Sequence, residues 1–134
     1  MATYVYKVNA NQRVGSHYGD WRRFYEGDQP STWGLVEIIC RKNQPRPEPG
    51  DRIIAYQTNL AEVIGTANVV GYQLGKILLH ADEGPFPRGV KVTELKKRDD
   101  RIGGLRAFQQ GLIQTLYEID DDDADHLLEA IKES

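Results

Sequence analysis

Three apolar segments follow one another closely between positions 52 and 81: "RIIAYQT" (52–58), "EVIGTANVVGYQ" (62–73) and "KILLHA" (76–81). Their spacing constrains the fold more than any other feature of the chain. Residues 59–61 and 74–75 are too few to hold a crossover helix, which needs a dozen residues or more. Alternation and β-branched or aromatic content also mark "TYVYKVN" (3–9) as a strand, and "WGLVEII" (33–39) and "VKVTEL" (90–95) read the same way. Gly65 and Gly71 suggest bulges or close backbone approaches within 62–73. "RKNQPRPEPGD" (41–51) excludes both helix and ladder pairing with its three prolines and a glycine, and "DEGPFPRG" (82–89) is a turn-rich loop. About six short strands at this spacing predict a small barrel or sandwich.

The end of the chain changes character. "LRAFQQGLIQTLYEI" (105–119) starts helically and passes through Gly111 into a last strand. "DDDDADHLLEAIKES" (120–134) is a helix, because Ala124, Leu127, Leu128 and Ile131 fall at i, i+3, i+4 and i+7. Its leading aspartates are expected to cap free N–H groups and oppose the helix dipole. They lack the alternating ligand spacing and closing glutamate of a calcium loop, so no metal and no cofactor is expected.

A chain of 134 residues suits one domain over 1–134. The lone Cys40 excludes an internal disulfide, fits a reducing cytosol and reads as a buried inert thiol. The start "MATYVYKVNANQ" has no signal-peptide pattern, and no apolar run is long enough to span a membrane. A cytoplasmic location is the expectation. Net charge is −3, but residues 118–134 hold eight acids and one base. Residues 1–117 keep sixteen bases against twelve acids, a balance of +4, which permits a phosphate-bearing partner.

Catalytic signatures are absent: no Walker loop, no GxSxG elbow and no HExxH. An enzyme acting on a nucleotide or other small molecule would have to draw on Asp20, Asp51 or His17, with Asp28 a further candidate. Asp51 follows Pro49-Gly50 and is most simply a turn residue. The aromatic residues are more informative. "GSHYGDWRRFYEGDQPSTWG" (15–34) holds Tyr18, Trp21, Phe24, Tyr25 and Trp33, among them both tryptophans of the chain. Trp21, Phe24 and Tyr25 match one face of a short helix that would plug a barrel end. Trp33 enters a strand, where a large ring can stand at a barrel mouth. Rings left partly uncovered there would hold a flat heterocycle such as a nucleobase. Arg22 and Arg23 would add phosphate contacts.

The order "YVYKVNANQ", Trp33, "PGDRIIAYQT" and "VIGTANVVGYQ" resembles the EVE domain, a PUA-like family related to the YTH readers of methylated adenine and to ASCH domains. The resemblance spans most of the chain, and its tail, a strand followed by a helix, fits as well. It implies an α+β fold: a small PUA-like mixed β-barrel with flanking short helices and a C-terminal helix. It also implies a reader that holds a modified base of DNA or RNA at the barrel mouth, with a separately encoded nuclease as a further partner. Carried over by position, Asn9 and Asn11 would offer edge hydrogen bonds and Trp33 would be a cage wall. Tyr56, Gln57 and Thr58 would border the opposite side. Trp21 and Tyr25 join this set from the aromatic cluster rather than from the resemblance.

Overall fold

The computed structural model describes residues 1–10, 13–14, 17–35, 39–40, 46–87, 90–109 and 115–133. The chain runs β1 (Thr3–Val8), a short hairpin of β2 (Arg13–Val14) and β3 (His17–Tyr18), α1 (Trp21–Glu26) and β4 (Ser31–Leu35). There follow β5 (Arg52–Gln57), β6 (Glu62–Gln73), β7 (Lys76–Ala81), β8 (Val90–Lys91), α2 (Val92–Arg98) and α3 (Asp100–Gly103). A 3-10 turn (Arg106–Phe108), β9 (Leu116–Ile119) and α4 (Asp121–Lys132) complete it. Seven strands form one mixed sheet in the order β4-β7-β6-β5-β1-β9, with β8 also on β6. The fold is α+β.

β1 and β5 pair in parallel, Val5 opposite Ile54 and Val8 opposite Gln57. The other pairings in this sheet are antiparallel. Alternation sorts the side chains of these two central strands into two cores. Tyr4, Tyr6, Val8, Ile53 and Ala55 join Trp21, Phe24 and Trp33 on one side. Val5, Ile54 and Tyr56 join α2, α3 and α4 on the other. Burial on both faces explains why "TYVYKV" and "RIIAYQ" read as nearly continuous apolar runs.

The helix over 120–134 forms as its periodicity dictates: Ala124, Leu127 and Ile131 are buried in the second core. Its cap differs from expectation, because the Asp120 side chain makes no capping hydrogen bond. Asp121, Asp122 and Asp123 occupy the first turn, where their charge opposes the dipole. Residues 90–95 also depart from the sequence reading. Only Val90 and Lys91 are strand, held against Val63 and Glu62. The chain then turns into α2, which buries Val92 and Leu95 three residues apart and ends on Lys96, Lys97 and Arg98. The alternation of "VKV" imitates a strand, but the i, i+3 pair and the basic last turn belong to a helix. The helical start expected at 105 is reduced to the single 3-10 turn. Of 33–39, the described strand ends at Leu35.

Asp99 ties these short helices to α4. Its Oδ1 accepts the N–H groups of Arg101 and Ile102, capping α3, and its Oδ2 lies 2.5 Å from His126 Nε2. The His126 hydrogen bond, with help from the backbone N–H groups, holds the Asp99 carboxyl below its ordinary value of 3.8. A depressed carboxylate stabilises the fold above that ordinary value, and the contribution fades as pH falls through the lower folded one.

Two outcomes follow from these contacts. Trp21→Ala removes the ring at the centre of the first core and is expected to lower stability by about 3–5 kcal/mol in chemical denaturation; a change below about 1 kcal/mol would contradict the packing. Asp99→Asn keeps a good helix cap while deleting the charge. Thermal midpoints between pH 5 and pH 2, on the order of the carboxylate range, should fall less steeply for this variant than for the parent; parallel curves would contradict the Asp99–His126 link.

Candidate functional site

Asp20 starts α1 by accepting the Arg22 N–H on its side chain at 3.0 Å. That fixes Trp21 and Phe24 on the inner face, three residues apart. The Trp21 ring stacks on Trp33 at 5.1 Å and 24°, while Tyr6 and Phe24 meet Trp21 edge-on at 5.1 and 5.5 Å. Trp21 Nε1 donates to the Tyr6 carbonyl and the Tyr6 hydroxyl donates to the Trp33 carbonyl, each at 3.3 Å. The expected short helix is therefore present with Trp21 and Phe24 buried, but it packs on one face of an open sheet rather than plugging the end of a closed barrel. The expectation of partly uncovered indoles is not met: Trp21 is 0% exposed and Trp33 3%. Pairing the two large rings face to face serves the core first.

Tyr25 is half-buried beside Phe24, and its hydroxyl donates to the Thr66 carbonyl at 2.8 Å. Burial holds the phenol well above its ordinary pKa. Gly65 admits this approach, since a Cβ there would sit on the Tyr25 hydroxyl and the Glu83 carbonyl. Tyr56 lies in the other core, 5.1 Å from Phe108, so the sheet separates it from Trp33. Adjacent positions on a strand point to opposite faces, which is why Tyr56 and Gln57 part company.

Gln57 and Thr58 stand at the C-terminal ends of the parallel pair and serve the backbone. Gln57 Oε1 accepts the Trp21 N–H at 3.0 Å, and its Nε2 donates to the Gly19 carbonyl and Asn59 Oδ1, each at 2.6 Å. Thr58 donates both its N–H and its hydroxyl to the Val8 carbonyl at 2.8 and 3.0 Å. Gly19 packs so tightly on Asn9 that a Cβ would lie 2.5 Å from the Asn9 carbonyl oxygen. This junction brings Asn9, Gln57, Thr58 and Trp21 together and fixes the entry of α1. Asn11 lies outside the described residues.

Two of the acids weighed for catalysis, Asp51 and Asp20, are occupied similarly. Asp51 accepts the N–H groups of Ala2 and Glu48 at 2.9 and 2.8 Å, closing the turn after Pro47. Asp20 is the α1 cap, and Asp28 is exposed after α1. The His17 side chain lies outside the described part. Cys40 is half-buried rather than buried, and that burial raises its thiol above the ordinary value.

A hollow of about 400 Å³ opens on the outer side of Trp33. Arg23, Phe24 and Asp28 line it from α1 and its exit, Ser31, Thr32 and Trp33 from β4, and Gln73 and Leu78 from the β6–β7 hairpin. Its size falls within the range of small-ligand sites. Three neutral polar side chains, one cation and one carboxylate, Asp28, line it over the nearly buried rings of Phe24 and Trp33, a set able to meet the polar edge of a flat heterocycle. Of the expected phosphate contacts, Arg23 borders this hollow, whereas Arg22 donates to the Phe86 carbonyl at 3.3 Å. The acidic α4 packs on the opposite face of the sheet. Sequence reasoning missed Thr32, Gln73 and Leu78, because the bends of three separate segments bring them together.

No protein-family profile matches the chain, and no curated protein matches it in sequence. Solved structures do. Human THYN1, crystallised in complex with 5-methylcytosine containing DNA, superposes with a TM-score of 0.71 at 13% identity over 97% of each chain. Protein PSPTO5229 from Pseudomonas syringae gives 0.63 at 13% identity, over 96% of this chain and 99% of its own. The chain therefore has the PUA-like fold that its resemblance to the EVE domain implied.

Proposed function

We propose that this chain is a nucleic-acid reader that takes a modified nucleobase of DNA into the hollow beside Trp33. The observation that carries the reading is the hollow itself, lined by Phe24 and Trp33, by neutral polar groups from Ser31, Thr32 and Gln73, and by a guanidinium and a carboxylate from Arg23 and Asp28. The structural likeness to THYN1, a protein crystallised with 5-methylcytosine DNA, supports the choice of ligand class. The charge distribution agrees, since the acidic helix lies across the sheet from the hollow.

In this reading Trp33 and Phe24 form the floor beneath the base, Thr32 and Gln73 meet its edge, and Arg23 meets a flanking phosphate. Asn9, Gln57 and Thr58 act one step back, by fixing the entry of α1. Trp21 supports Trp33 from behind, and Tyr25 and Tyr56 lie away from the base. For the enzyme alternative, Asp20 and Asp51 are engaged by backbone N–H groups, which leaves Asp28 as the candidate acid that lines the hollow.

Fluorescence anisotropy with matched oligonucleotides, one containing 5-methylcytosine and one unmodified, tests the proposal. Arg23 and Gln73 are exposed, so their alanine variants should keep stability within about 0.5 kcal/mol. Arg23→Ala is expected to weaken both oligonucleotides and flatten the log–log salt dependence by about one unit. Gln73→Ala should reduce the preference for the modified strand by about tenfold, as loss of a base-edge contact does. Parent-like binding by both variants would exclude the hollow as the site.

A further inference from the structure

The turn joining β6 to β7 is built against its own stability. Leu74 and Gly75 form it, both at positive φ, +52° and +75°. Tight hairpins that need positive φ at both central residues favour Asn-Gly or Gly-Gly, because a branched side chain is strained there. Here the first position is leucine, and it is 93% exposed. An apolar side chain is thus held out in water on a backbone that disfavours it. Such an outlier points to a use for the side chain itself.

The surroundings indicate what it meets. Gln73, next to Leu74 in the chain, lines the hollow beside Trp33. No carboxylate occurs between Val63 and Ala81, in a chain with twenty acids, while Lys76 pairs with Gln73 at the base of the turn. The hairpin tip is therefore apolar, free of acids and adjacent to the hollow. Proteins that open a duplex commonly insert an apolar wedge into the base stack, and a base must leave that stack before a pocket can enclose it.

We propose that Leu74 is such a wedge, entering the stack of double-stranded DNA as the modified base passes into the neighbouring hollow. The proposal rests on the reader function above and adds duplex opening to it. A single strand has no stack of paired bases to open, so Leu74 contributes little there.

Leu74→Gly separates these ideas, because glycine accepts positive φ and the variant should fold at least as stably as the parent. The parent and the variant are titrated with a 5-methylcytosine duplex and with the same modified single strand. A 2-aminopurine beside the modified base reports unstacking. The expected result is a loss of about tenfold or more in duplex affinity, single-strand affinity within about twofold of the parent, and no 2-aminopurine increase with the variant. Leu74→Met should restore duplex binding. Unchanged duplex affinity, or equal losses on both strands, would overturn the wedge while leaving the reader function standing. Absence of parent binding to either strand would overturn both. A parent dimer that becomes monomeric in Leu74→Gly, with duplex affinity unchanged, would assign the tip to a second copy and overturn the wedge.

Discussion

The parallel pairing of β1 with β5 is the constraint on which the rest of this structure depends. Two adjacent strands covered on both faces divide the molecule into an aromatic side and a helical side. Parallel pairing also requires a long return from the end of β1 to the start of β5. That return carries α1 and β4, and with them both tryptophans. The aromatic segment is thus a connection in the chain and a core in space. Its rings cover one face of the central pair.

The same division separates charge. α4 covers the second core through Ala124, Leu127 and Ile131 and carries its aspartates outward on that side. The hollow lies on the other side, with one cation, Arg23, and one carboxylate, Asp28, in its lining. A pI of about 5.6 therefore describes the whole chain and not the face proposed to meet DNA. Salt bridges such as Arg52–Asp125, at 3.3 Å, and Arg101–Asp123, at 2.9 Å, occupy part of the acid locally. Being exposed, such pairs add little stability.

The parts of the fold legible in the sequence were those with one dominant period. β1, β5, β6 and β7 stood out because their apolar runs are bounded by turn residues, and α4 because its stripe is regular. α2 was misread because "VKV" satisfies two periods at once and only the tertiary ending of β8 decides between them. The site was legible in part. Trp33 and Arg23 do border the hollow, but the sequence cannot tell an indole facing a cavity from one stacked on a second indole. Gln57 shows the opposite limit: the EVE-domain resemblance places it at the border of the base pocket, whereas the fold uses its amide to bind the backbone at Gly19 and Trp21. Leu74 gave no signal at all, because its meaning lies in a positive φ and full exposure, and neither is written in residue type.

The most direct measurement of the central claim is a set of intermolecular NOEs from the methyl group of 5-methylcytosine in bound DNA. The account predicts cross-peaks to ring protons of Trp33 and Phe24, and none to Tyr56, Phe108 or the residues of α4 across the sheet. Contacts confined to that opposite face would contradict it, as would a methyl group with no contact to either ring.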